Sequence, residues 1–206
     1  MRDPRSLDGG RVRILGLDPG SRRTGYGLID YHVGEAVHVA HGCIVVRARG
    51  GAGVAAVDAS AAGPSAAGAS ADAAGVAERL RAIYEAVEGL IAQYRPDEIA
   101  VERVFVNRNV DSALKLGQAR GAALSAIPRG TPVFEYAPRA IKIAVVGFGG
   151  ADKRQVLHMM KSLLALTGAI AADASDALAV AVCHAHSRRG GWIEQAARGG
   201  ADIVSL

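Results

Sequence analysis

Between Arg11 and Arg47 three runs of β-branched, aliphatic and aromatic residues follow one another across short polar gaps, and this spacing restricts the fold more than any other feature. Arg11 to Asp18 reads Arg-Val-Arg-Ile-Leu-Gly-Leu-Asp and stops at Pro19-Gly20, a turn signal. Thr24 to Asp30 and Ala36 to Arg47 are rich in Tyr, Ile, Leu and Val, with Tyr31 to Glu35 between them. The pattern predicts an antiparallel three-strand meander.

Gly50 to Gly75 changes character: 21 of its 26 residues are Gly, Ala or Ser, a composition that cannot bury enough surface to offset the entropy of ordering it. It is expected to be a flexible surface insertion. Val76, Leu80, Ile83, Val87, Ile91 and Tyr94 then recur at helical spacing, and Arg95-Pro96-Asp97 ends the helix they define. Ile99 to Val106 is apolar on both faces apart from Glu102 and Arg103, as a central strand covered on each side would be. Following a helix, it implies a crossover and parallel pairing.

Further along, Asp111 to Ile127 predicts a helix with Leu114, Gln118, Gly121 and Ser125 on one side, and Thr131 to Tyr136 a fifth strand. Pro138 to Val146 and Asp152 to Leu166 predict helices split by the hinge Gly147-Phe-Gly-Gly150, and Asp173 to Ser187 an Ala-rich last helix. The expected class is α/β: a mixed five-stranded sheet flanked by helices. At 206 residues one domain is expected, spanning 11–188 with the 50–75 insertion, an N-terminal extension 1–10 and a C-terminal tail 189–206.

Hydrophobic residues make up 50% of the chain, yet no run approaches the ~18 apolar residues of a membrane span. A membrane-spanning protein is excluded on this pattern, and the charged N-terminus lacks a secretory signal, so a cytoplasmic setting is expected. Cys43 and Cys183 are too few for a disulfide scaffold and have no zinc-site spacing, which makes them reduced core thiols. The net charge of +4 is unevenly spread: from Arg103 to Lys161 ten Lys or Arg stand against three acids. That half of the chain suits a polyanionic partner or a solvated charged face.

Three acidic locations stand where a carboxylate is costly or oddly placed. Asp18 closes an apolar strand before Pro19-Gly20, where an Asx turn is the alternative role. Glu102 interrupts an apolar strand, and burying its charge requires a distant base or a cation, since Arg103 points to the opposite face. Asp173 and Asp176, three apart, share one face of the helix they open, where helix capping is the alternative. Were the four to converge, each pair would repel by ~4 kcal/mol at 4 Å and an effective dielectric of 20. Divalent cations with oxygen ligation, Mg²⁺ or Mn²⁺, would relieve that repulsion, and two of them can drive phosphodiester cleavage. Spacing alone does not bring the four together.

Gly16-Leu-Asp-Pro-Gly-Ser-Arg-Arg-Thr-Gly-Tyr-Gly27, Glu102-Arg-Val-Phe105 with Asn109-Val-Asp-Ser-Ala-Leu-Lys-Leu-Gly-Gln-Ala-Arg-Gly121, and Ala172-Asp-Ala-Ser-Asp-Ala-Leu-Ala179 closely resemble the RuvC family of bacterial Holliday junction resolvases. The resemblance covers about Arg11 to Arg188, with the insertion and both termini outside it. It implies a ribonuclease H-like fold and a homodimer that nicks two opposed strands of a four-way DNA junction in recombination and repair. It makes Asp18, Glu102, Asp173 and Asp176 the catalytic, metal-binding carboxylates, with two Mg²⁺ per subunit and Mn²⁺ able to substitute. Phe105 matches an aromatic that stacks on a base, Lys142 and Lys153 match lysines that contact DNA, and the RuvA and RuvB branch-migration proteins become implied partners.

Two other functions compete. Gly-x-Asp-x-Gly followed by Thr-Gly also resembles the phosphate loop of sugar kinases and actin-like ATPases, but those proteins need two such domains, more than 206 residues supply. A catalytically inactive junction-binding protein is the other, and the presence of all four carboxylates opposes it. Cys183, His184 and His186 lack a fourth ligand and a shared face, so a core or surface role is expected for the histidines.

Overall fold

The meander forms as its short gaps require: β1 (Val12–Pro19), β2 (Arg23–His32) and β3 (Glu35–Val45) pair antiparallel in order. The computed structural model describes residues 10–45, 56–58, 75–103 and 109–189. A three-residue strand, β4 (Ala56–Asp58), pairs antiparallel with β3 at the sheet edge, so part of the segment expected to be a flexible insertion carries regular backbone. The rest of 50–74, the N-terminal residues 1–9 and the tail from 190 lie outside the described residues.

Helix α1 (Val76–Tyr94) buries Ile83, Val87 and Leu90, and Arg95 closes it in the left-handed conformation before Pro96. The chain returns as β5 (Glu98–Glu102), parallel to β1 as the crossover demands. The strand expected over Ile99 to Val106 therefore stops at Glu102; residues 104–108 lie outside the described residues. Asn109 caps α2 (Val110–Ser125) by accepting from the Ser112 amide, and the helix buries Ala119 and Ala123 while Leu114 faces solvent. Strand β6 (Val133–Tyr136) adds in parallel to β5. Helices α3 (Pro138–Val146), α4 (Lys153–Leu163) and α5 (Ala172–Arg189) complete the order. The five expected strands are present, and with β4 the sheet runs β4-β3-β2-β1-β5-β6.

Alternation along the strands sorts side chains into two cores. Leu15, Leu17, Tyr26, Leu28, Ile99 and Val101 pack with α1 and α2, while Val12, Ile14, Ile29, Tyr31 and Ala100 pack with α3, α4 and α5. At ~25 cal/mol per Å² of buried apolar area, these two layers are the main source of stability. Helix α5 lies unusually close to the sheet because Gly16, Gly25 and Gly27 present no side chain to it. A Cβ on Gly16 would stand 2.1 Å from the Ala177 carbonyl oxygen, and one on Gly25 1.9 Å from that of Asp173.

Candidate active site

The close seat of α5 brings its first turns to the ends of β1 and β5. Asp18 is the last residue but one of β1 and shares the α5-facing parity of Ile14 and Gly16. The parallel register pairs Leu17 with Val101, and one further step sets Glu102 beside Asp18 on the same face. Asp173 lies within the first turn of α5, where Gly25 meets its carbonyl, and Asp176 follows on the same side. Asp173 is thus a first-turn acid, and the helix begins at Ala172.

Electrostatics ties the four together. Burial first, then the charges of Glu102, Asp176 and Asp173, push the Asp18 carboxyl up to about 8, and a hydrogen bond with Glu102 acts in the same direction. Glu102 is raised by burial and by Asp176, against lowering by its hydrogen bond with Asp18 and by the fields of Lys153 and Lys142. The fields of the two lysines reach Glu102 without outweighing its burial and the charge of Asp176. Lys153 Nζ donates to Asp176 Oδ2 at 3.1 Å, and this bond, with the charge of Asp176, raises the ammonium.

Local sequence explains how that lysine arrives. Asp152 and Gln155 form a reciprocal capping box, with the Gln155 amide donating to Asp152 Oδ1 at 2.9 Å, so α4 opens with Lys153 as its first residue. Lys142 projects from α3, which starts at Pro138 and ends at a left-handed Gly147. The Gly147 to Gly150 hinge expected between the two helices is where the chain turns from one lysine-bearing helix to the other.

Four carboxylates supply an all-oxygen donor set of the kind that suits a hard divalent cation, and the raised Asp18 carboxyl registers the uncompensated negative charge such an ion would neutralise. As placed, the cluster is drawn into pairs, Asp18 with Glu102 and Asp176 with Lys153, and among the described residues no three His, Cys, Asp or Glu side chains are gathered to hold a metal. The donor chemistry fits the cation.

Phe105 lies outside the described residues. His184 is fully buried between Glu98 and Tyr136, and His186 bonds the Ala144 carbonyl, in agreement with structural roles for both. The glycines of the α5 seam escape a reading of residue patterns alone; interior strand glycines at alternating positions, 25 and 27, are the available signal. Among the described residues no helix is long and apolar enough to cross a membrane.

The family model for the crossover junction endodeoxyribonuclease RuvC matches residues 14–53 and 52–184. The chain is 47% identical over 179 residues to the RuvC crossover junction endodeoxyribonuclease of Methylococcus capsulatus, covering 86% of this chain and 93% of that one. To the RuvC of Marinobacter nauticus it is 48% identical over 174 residues, 84% of this chain and 85% of the relative. The structure of Thermus thermophilus RuvC in complex with Holliday junction substrate superposes with a TM-score of 0.68 at 27% identity, covering 87% of this chain and 96% of that one. The yeast mitochondrial Holliday junction resolvase shares the fold, with a TM-score of 0.56 at 10% identity over 92% of this chain and 88% of that one. A sheet end lined with acids, a helix seated on glycines to complete it, and a match along most of the chain have one common explanation: the chain belongs to the RuvC family of crossover junction endodeoxyribonucleases.

Proposed function

We propose that Asp18, Glu102, Asp173 and Asp176 carry the chemistry by which this chain, an endonuclease of the RuvC family, resolves Holliday junctions. The observation that supports this assignment is the convergence of three other carboxylate charges on Asp18, which burial and those charges hold near 8. These four residues would hold divalent cations, two Mg²⁺ per subunit with Mn²⁺ able to substitute, which would supply Lewis acidity for activating water and stabilising the leaving oxygen.

The protein's own groups then have distinct tasks. Asp18 gives up its proton to become an anionic donor, as ligands must. Glu102, at the end of β5, holds its place beside it. Asp173 and Asp176 bring charge from the helix, and Lys153, released from Asp176, is free to meet a phosphate, with Lys142 beside it. Such contacts fix the position of the DNA without reading its sequence. Phe105 is proposed to stack on a base near the crossover. A homodimer would place two such sites on opposed strands, its symmetry matching that of the junction. The RuvA and RuvB proteins are proposed partners by family likeness, in a cytoplasmic setting that suits two buried cysteines outside any disulfide.

The test is strand nicking of a synthetic mobile four-way junction with Mg²⁺, beside linear duplex, for the natural chain and Asp18→Asn. Paired symmetric nicks in the junction alone, absent from the variant although it still binds, are expected. Equal cleavage by Asp18→Asn would remove Asp18 from the site, and binding without nicking by the natural chain would leave a junction-binding protein.

A further inference from the structure

Glu102 is the last residue of its strand, and its main chain has a missing partner. In the parallel β5–β6 pair each bonded residue donates to the residue before its partner, as Ile99 does to the Pro132 carbonyl and Arg103 to that of Tyr136. Odd-numbered residues of β5 therefore bond β6, and Glu102 turns its amide and carbonyl toward β1. Continuing the β1–β5 register by one step, the donor for the Glu102 carbonyl would be the amide of residue 19. That residue is proline and has no N–H.

Arg120 fills the gap. From α2 on the opposite layer, its Nη1 donates to the Glu102 carbonyl oxygen while Nη2 donates to Glu135 Oε1 on β6. The Arg120 side chain is 14% exposed, and Arg103 adds a longer contact from Nε to Glu135 Oε2 at 3.6 Å. One guanidinium thus joins the last residue of β5, the neighbouring strand and α2 at the end of the sheet where the carboxylates converge. Its planar fork holds both acceptors at a fixed spacing, which the rotatable donors of a lysine do not.

We infer that Arg120 is a positioning residue for Glu102: it replaces the strand hydrogen bond that Pro19 cannot make and so sets the height and direction of the Glu102 carboxylate in the metal-binding cluster. Its bonds are to the Glu102 carbonyl and to Glu135, so it acts through Glu102. The inference rests on the assignment of Glu102 as a ligand and adds the means by which that ligand is held.

The test is Mn²⁺ binding in the absence of DNA, read from the paramagnetic resonance signal of the free ion, with thermal melting run alongside. Glu102→Gln must weaken Mn²⁺ binding; if it does not, the premise and the inference fall together. With Glu102 so established, Arg120→Met is expected to bind Mn²⁺ 10- to 100-fold more weakly while still binding junction, the range typical of groups that orient ligands. Wild-type Mn²⁺ affinity in a folded Arg120→Met overturns the inference and leaves the ligand assignment standing. Pro19→Ala restores an amide aimed at the same carbonyl, so Pro19→Ala/Arg120→Met is expected to recover part of the loss. No recovery assigns the loss to packing and also overturns it. Should Arg120→Met not melt cooperatively, Arg120→Lys carries the test: a loss near tenfold supports the role, and unchanged affinity refutes it.

Discussion

Lys153 Nζ stands 3.1 Å from Asp176 Oδ2, so the first residue of α4 supplies a cation to the acidic end of α5. The lysine side chain is 74% exposed, which makes the pair a weak contributor to stability and leaves the lysine able to exchange one anion for another. A phosphate brought to this site would compete with Asp176 for it directly.

Lys153→Ala and Lys142→Ala are each expected to leave the melting temperature nearly unchanged while weakening junction binding. The slope of log affinity against log salt should fall in magnitude by about one for each phosphate that the variant no longer neutralises. Binding isotherms between low and moderate salt measure it. An unchanged slope for Lys153→Ala would confine that lysine to its carboxylate partner.

Asp18→Asn is expected to make the metal-free protein more stable, by about 1–3 kcal/mol at pH 7, while abolishing cleavage. The natural residue must either hold a proton or stand charged among three other acids, since burial and those charges push it to about 8. Asparagine escapes both costs and can still donate to Glu102. Urea denaturation in the presence of a chelator, with Asp18→Asn less stable than the natural chain, would contradict the acidic convergence. Added Mg²⁺ should stabilise the natural chain, through preferential binding to the folded state, and do less for the variant.

Gly25→Ala tests the seat of α5. The new Cβ would lie 1.9 Å from the Asp173 carbonyl oxygen, so the first turn of the helix must lift or the strand must bend. We expect a loss of about 2–4 kcal/mol together with weakened Mn²⁺ binding, because overpacking displaces the backbone that carries Asp173. Denaturant midpoints and Mn²⁺ titration check the two effects, and full retention of both would show that the seam is not tight in solution.

Much of this architecture is legible in residue order. The meander follows from short gaps, the parallel return of β5 from the intervening helix, and α1 from its periodic apolar face. The convergence of Asp18, Glu102, Asp173 and Asp176 is not legible from spacing, because it depends on the helix approaching glycines on two strands that are distant in sequence from α5. Resemblance supplies what periodicity cannot. The expected strand continues through the apolar Val104 to Val106, which lie outside the described residues, while pairing of β5 with β1 is seen as far as Val101. In the sequence Arg120 is one charge among ten; its hydrogen bond to Glu102 becomes visible only with the ladder that Pro19 interrupts.

Glu98 offers a pH test away from the acidic cluster. His184, fully buried on α5, is hydrogen-bonded through Nε2 to Glu98 Oε2 at 2.6 Å and through Nδ1 to the Tyr136 hydroxyl at 2.6 Å, while Arg188 bonds the other Glu98 oxygen. Burial works to raise the Glu98 carboxyl, but the hydrogen bond and field of His184, with those of Arg188, outweigh it and hold the group below the usual carboxylate range. The unfolded chain therefore takes up this proton at a higher pH than the folded one. Above the unfolded value near 4.5 the stabilisation is complete; as the pH falls through that value toward the lower folded one, protonation favours the unfolded state and the contribution is lost. Glu98→Gln is expected to cost about 1–3 kcal/mol at pH 7 and to flatten the acid limb of stability as the pH falls through 4.5 and below. Urea midpoints from pH 7 down that limb measure both, and a variant with the same acid limb as the natural chain would show that Glu98 is not held as a paired carboxylate.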